Sequence, residues 1–138
     1  MLQTRELFES VTTATPLSSE LLAQIVDVLA ECEQAVTACA AGMLAEKDAD
    51  ELRAAISQDQ DCADVTAATR RVLTRGSSHD PALLTAQVQA CLIACRRSHD
   101  LCEQHTRHHE HCRLCADATG RAADTCREVL VALGSQGL

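Results

Sequence analysis

Residues 21–44, LLAQIVDVLAECEQAVTACAAGML, decide the architecture. From Ile25, alternate steps of four and three residues meet Leu29, Cys32, Val36, Cys39 and Met43. Such steps trace one stripe along an α-helix, which turns every 3.6 residues. The stripe is apolar, while Asp27, Glu31, Glu33 and Gln34 lie off it. The stretch predicts a long helix with one buried face, and that face contains two cysteines.

The punctuation on either side extends the pattern. Thr4–Val11 reads as a short amphipathic helix or turn, followed by Thr15-Pro16-Leu17-Ser18-Ser19, where either serine can cap the long helix. That helix is expected over residues 18–46. Lys47-Asp48-Ala49-Asp50 is a polar turn, with Asp48 or Asp50 as the cap of a second helix over 49–75. Gly76 to Pro81 forms the next break, with Asp80 capping and Pro81 at the first position of a third helix over 81–105. A break at Thr106-Arg107-His108 precedes a fourth helix over 109–133. Four helices of similar length with short connections predict an all-α fold, an antiparallel four-helix bundle with a short N-terminal helical segment, as one domain over 1–138.

The same stepping places a seam on every helix. The third gives Leu84, Val88, Cys91, Cys95, Ser98, Cys102 and His105, and the fourth His108, Cys112, Cys115, Thr119, Ala122, Cys126 and Val129. The second is more polar: Leu52, Ala55, Asp59, Cys62, Thr66, Thr69 and Leu73. All nine cysteines fall on these seams, so their thiols are expected to point inward. Asp59 on a seam is expected either to be satisfied by hydroxyls, water or metal, or to be exposed by a shifted register. It is not counted as a ligand.

Composition narrows the function. Phe8 is the one aromatic residue, so aliphatic side chains, Ala and Cys must form the core. The net charge is −8, and the twelve basic residues, all Arg except Lys47, are scattered, which argues against nucleic acid. No apolar run reaches the roughly 18 residues that argue for a membrane span. The N-terminus lacks a basic segment followed by an apolar one, so a cytosolic location is expected. An odd number of cysteines cannot all pair internally, and a cytosol keeps thiols reduced.

A single seam cysteine is ordinarily core packing, because free cysteine is a small, commonly buried hydrophobe. Together the nine read differently. Cys91 and Cys95 stand at i, i+4, and Cys112 and Cys115 at i, i+3, where side chains of one helix meet. Folding the helices antiparallel puts Cys32, Cys62 and Cys95 near one middle level. Cys91 and Cys126 fall toward one end, and Cys39, Cys102, Cys112 and Cys115 toward the other. Thiolates grouped in a dry channel suit a soft ion, and copper(I), Cu(I), is the best candidate. His105, His108, His109 and His111 crowd the junction of the third and fourth helices. There imidazoles suit ions arriving before transfer to thiolates, and the other reading is a solvated capping cluster. His105, His109 and His111 join the nine cysteines as candidate metal ligands. His79 and His99 read as surface residues, and Met43 as core.

The stretch Leu21–Ala132 resembles the cytosolic copper storage proteins, cysteine-rich four-helix bundles that hold many copper(I) ions along their interior. The resemblance rests on Cys32-Glu33-Gln34 with Thr37-Ala38-Cys39-Ala40, Asp61-Cys62-Ala63-Asp64-Val65, Gln89-Ala90-Cys91 with Ala94-Cys95-Arg96, and, most specifically, His109-Glu110-His111-Cys112-Arg113-Leu114-Cys115-Ala116-Asp117. It implies copper(I) buffering or storage, a homotetramer, and a His109-Glu110-His111 element at the open end of the channel. Where that family commonly has further cysteines, this chain carries Ile25, Leu29, Val36, Met43, Ala55, Thr66, Ser98, Thr119 and Ala122. About half the thiols the resemblance implies are replaced, which implies a smaller load. Two other readings compete: one defined iron–sulfur or zinc centre held by Cys and His, and a metal-free relative acting in assembly. An enzyme is not expected, because no set of nucleophile, base and acid stands out.

Overall fold

The computed structural model describes residues 3–11, 17–76 and 80–134. Helix α1 spans Thr4–Ser10 and lies on α2, with Phe8 buried and Thr4 Oγ1 donating to Asp27 Oδ1 at 2.7 Å. Four long helices follow: α2, Ser19–Leu44; α3, Arg53–Arg75; α4, Pro81–Glu103; and α5, Glu110–Gly134. Each packs on its chain neighbour, and α2 also packs on α5, which closes the ring. The result is the expected antiparallel four-helix bundle.

Local chemistry sets the ends. Ser18, rather than Ser19, accepts the Leu21 amide, and Asp80 accepts the Leu83 amide ahead of Pro81, each at 3.1 Å. Gly76 closes α3 with φ 65°, a left-handed conformation that glycine adopts without a Cβ penalty. The first reversal departs from expectation. Helix α2 stops at Leu44, two residues early, and Ala49–Leu52 is a 3-10 turn leading into α3. Neither Asp48 nor Asp50 caps α3, whose N-cap is Leu52 without a side-chain bond. Asp48 precedes the 3-10 turn, with its carbonyl accepting the Glu51 amide while its carboxylate reaches His109 at 3.4 Å. The tight reversal satisfies its amides with backbone carbonyls, which leaves this carboxylate for the neighbouring corner. Helix α4 likewise ends two residues short of the expected 105. The connection named at Thr15-Pro16 and Ser77–His79 falls outside the described residues, His79 included.

The predicted seams are the core. Every seam residue on α2 and α3 is at most 2% exposed, as are those on α4 up to Cys102 and those on α5 from Cys112. The exceptions are His105, half-buried, and His108, exposed, because both belong to the turn between α4 and α5 rather than to a helix. Antiparallel order gives the core a polarity. Ile25, Leu29, Leu73, Leu84, Val88, Val129 and Leu133, all buried, fill the end where α2 and α4 begin. The opposite end, where α3 and α5 begin, carries Cys39, Cys102, Cys112 and Cys115 beneath the histidine turn. Between the ends, Thr66, Thr119 and Thr125 donate to carbonyls of their own helices, so these buried hydroxyls need no partner across the core.

Candidate metal centre

All nine cysteines are free and 0% exposed. They fall into linked groups along the bundle axis, because seam positions of four helices meet at common heights. In the middle, Cys32 from α2, Cys62 from α3 and Cys95 from α4 keep their sulfurs within 4.8 Å of one another, with Cys62 and Cys95 at 3.9 Å. Toward the aliphatic end, Cys91 and Cys126 are hydrogen-bonding neighbours, and Cys91 also reaches Cys95 and so joins the middle group.

The other end holds two groups that share Cys39. In the inner one, Cys39, Asp59, Cys102 and Cys115 come one from each long helix, with ligand atoms all within 4.8 Å. Cys102 Sγ lies 3.3 Å from Cys115 Sγ and 3.3 Å from Asp59 Oδ1, and Ser98 Oγ donates to the same oxygen at 2.5 Å. In the outer one, His111 Nδ1 lies 3.5 Å from Cys39 Sγ and 3.6 Å from Cys112 Sγ, and the two sulfurs are 3.8 Å apart. The other ring nitrogen, Nε2, faces Glu46 Oε1 at 3.1 Å. With Nε2–H donating to that carboxylate, the Nδ1 lone pair is turned to the sulfurs, the outer-shell arrangement that fixes a ligating histidine.

Beyond His111, the His109 ring stacks on it at 5.3 Å between centroids, with its nitrogens 3.4 Å from Glu46 and 3.4 Å from Asp48. Glu46, His109 and His111 form a further group of possible ligands at the rim. His105 does not join a ligand group among the described residues. It lines a surface cavity of about 640 Å³ with His108, His109, Glu46 and Asp48. Gly42 makes room for this corner, since a Cβ there would stand 3.0 Å from the His111 ring.

Electrostatics divides the thiols. Hydrogen bonds from Cys32 and Cys95 hold the Cys62 thiol below its ordinary range, and those from Cys126 and Cys95 do so for Cys91. Cys115 and Cys39 do the same for Cys102. Their neighbours are pushed upward, Cys39 by its bonds to Cys102 and Cys115 and Cys126 by its bond to Cys91. The middle trio, the Cys91–Cys126 pair and the inner end group thus each present one thiolate-prone sulfur beside thiol donors, whereas both thiols of the outer group are raised. Cys112 is raised to about 11, chiefly by burial. Burial and the adjacent Cys102 sulfur raise the Asp59 carboxyl to about 8 against the opposing bond from Ser98.

Two residues of these groups were missed by the sequence reading. Asp59 is fully buried and sits among three thiols, so the shifted-register alternative is excluded, and its place on the α3 seam was the available signal. Glu46 carried no signal, because it stands in the turn and meets the histidines across 65 residues of chain. His99 is not a simple surface residue. Its Nδ1–H donates to the Ala116 carbonyl at 2.7 Å, joining α4 to α5.

The fold and these groups define a four-helix-bundle protein whose interior is lined with soft-metal ligands. The copper storage protein family matches residues 18–131, and the chain belongs to it. The structure superposes on the copper storage protein of Streptomyces lividans loaded with 10 copper equivalents, with TM-score 0.90 and 35% identity, covering 94% of this chain and 98% of that one. A structure of copper loading to a cytosolic copper storage protein from the same organism, with five coppers, gives TM-score 0.79 at 39% identity, covering 81% and 93%. Among curated proteins none matches by sequence.

Proposed function

We propose that this chain stores and buffers copper(I) in the cytosol, holding the ions on the thiolates of Cys32, Cys39, Cys62, Cys91, Cys95, Cys102, Cys112, Cys115 and Cys126. One observation carries the reading: nine fully buried thiols form linked groups down one bundle, and the series ends at imidazoles on the rim. A core built only for packing has no need of this, since the aliphatic end of the same bundle is filled without a single thiol. Copper(I) prefers sulfur and accepts two or three of them, so neighbouring groups can share cysteines and hold several ions. Membership of the copper storage family, and the copper-loaded Streptomyces structures, support the choice of metal.

His111 and His109 serve as the route inward, with His105 flanking the rim cavity. An imidazole holds copper(I) less firmly than clustered thiolates do, so an ion captured by His111 Nδ1 passes readily to Cys39 and Cys112 beside it. The protein works by binding and release, without catalysis. The resemblance to the family supports a homotetramer of such bundles, each a single domain.

Anaerobic titration with copper(I) against a competing chelator tests the function. More than about four tightly held ions per chain, beyond what one four-ligand centre accounts for, is the expected result. A chain that takes none under these conditions is not a store.

A further inference from the structure

The inner group at the histidine end differs in kind from the rest. Cys32, Cys62 and Cys95 offer sulfur alone, whereas Cys39, Cys102 and Cys115 are completed by a carboxylate, Asp59. Copper(I) gains little from a hard oxygen. Zinc(II) takes one readily, as a tetrahedral ion with sulfur at about 2.3 Å and carboxylate oxygen at about 2.0–2.2 Å.

The spacing agrees with this. Those bond lengths at tetrahedral angles place sulfur about 3.8 Å from sulfur and about 3.5 Å from oxygen. Cys102 and Cys115 sulfurs are 3.3 Å apart, and they lie 3.3 Å and 3.6 Å from Asp59 Oδ1. Small outward shifts of the sulfurs reach the tetrahedral edges. Each donor comes from a different helix, so the four approach a common centre from four sides. Ser98 Oγ–H grips Oδ1 at 2.5 Å, which orients the carboxylate as an outer-shell partner does.

Charge points the same way. Three thiolates and a carboxylate carry four negative charges in a fully buried place, where uncompensated charge is costly. A divalent ion offsets two of them and a single copper(I) only one. The protons of the four groups leave to solvent as the ion binds.

The geometry points to a second class of metal site in this chain: Cys39, Asp59, Cys102 and Cys115 form a tetrahedral site for a divalent zinc-class ion. With no divalent ion bound, the sulfurs of Cys39, Cys102 and Cys115 are open to copper(I) like the other thiols. The inference deepens the proposed function in treating buried thiols as metal ligands, yet it needs only these three.

Cobalt(II) is the direct probe, added anaerobically to the reduced, metal-free full chain. One ion per chain should bind, with the strong visible bands of tetrahedral cobalt and an ultraviolet sulfur-to-metal charge-transfer band, and one equivalent of zinc(II) should displace it. Asp59→Asn should weaken zinc by more than the ~10–100-fold typical of losing an outer-shell partner, and Ser98→Ala should fall within that range. Cadmium NMR of the unaltered chain should report three sulfurs and oxygen, which decides the matter even where Asp59→Asn fails to fold. Chain carrying one zinc and then given one copper(I) should retain the zinc. Weak, pale octahedral cobalt, an all-sulfur or histidine-containing cadmium signal, a folded Asp59→Asn chain with unaltered zinc affinity, or zinc expelled by the first copper(I) would each overturn the site. A chain that binds zinc but no copper(I) would sink storage and leave this site standing, and one that binds only copper(I) would do the reverse.

Discussion

Asp59 and Gly42 show how much rests on single side chains at the histidine end. Burial lifts the Asp59 carboxyl from 3.8 to about 8, so between those values the folded protein holds a proton that the unfolded chain releases. More protons bound in the native state means that stability declines as pH rises. The contribution of Asp59 is therefore fullest below about pH 4 and is lost on passing pH 8. Urea midpoints of the reduced, metal-free protein should fall across this window relative to those of Asp59→Asn, in which the slope is removed. Gly42 acts through space rather than charge. In Gly42→Ala the new Cβ meets the His111 ring at 3.0 Å, so the ring must shift and its Nδ1 contacts with Cys39 and Cys112 are disturbed. Stopped-flow measurements should show copper(I) loading slowed several-fold with final capacity nearly unchanged. His105, His109 and His111 replaced together by Ala should behave likewise, whereas Cys102, Cys112 and Cys115 replaced by Ser should lower the capacity. A histidine variant with normal rate and reduced capacity would make the histidines ligands of a fixed centre rather than a route.

At the level of the element, helix ends that look alike in sequence are built differently. The Asp80 carboxylate accepts the Leu83 amide, and a cap of this kind contributes about 1 kcal/mol. Asp48 stands before the 3-10 turn without a capping bond and spends its carboxylate on His109. Asp80→Ala should therefore cost about 1 kcal/mol in urea unfolding, and Asp48→Ala clearly less. Equal losses would show that Asp48 caps in solution. The difference also bears on function, because the shortened α2 and its turn place Glu46 and Asp48 over the ends of α4 and α5, where both meet histidines. Among the described residues, Arg70–Glu33 and Arg121–Glu31 tie neighbouring helices at 2.7 and 2.6 Å, but such surface or half-exposed pairs contribute little beside the core.

For the molecule as a whole, the bundle is a closed container with one chemically active end. Its aliphatic end is packed by Leu, Ile and Val, its middle and far end by thiols, and no thiol is exposed. Reduced, metal-free protein should accordingly alkylate slowly at all nine cysteines and rapidly once denatured, because every thiol lacks access and most are also held in the unreactive protonated form. The three thiolate-prone sulfurs, Cys62, Cys91 and Cys102, are 0% exposed as well, so access alone restrains them. Mass spectrometry after timed labelling reads this directly. Fast native labelling of most sites would contradict the inward-facing seams.

The sequence by itself determined the bundle, the helix faces and the inward direction of every thiol. Each of those follows from local spacing: 3.6 residues per turn carries the apolar stripe, and Ser18, Asp80 and Gly76 mark ends by chemistry within a few residues. It also determined the levels of the cysteines, since short loops leave antiparallel helices little freedom to slide. Tertiary structure alone decided the rest. That Asp59 faces Ser98, Cys102 and Cys115, that Glu46 turns the His111 Nδ1 toward sulfur, and that His105 stays outside the ligand groups depend on rotation and stagger between helices. A shift of a fraction of a turn leaves the stripe intact yet moves a ligand atom by several ångströms, more than the difference between a metal bond and no contact.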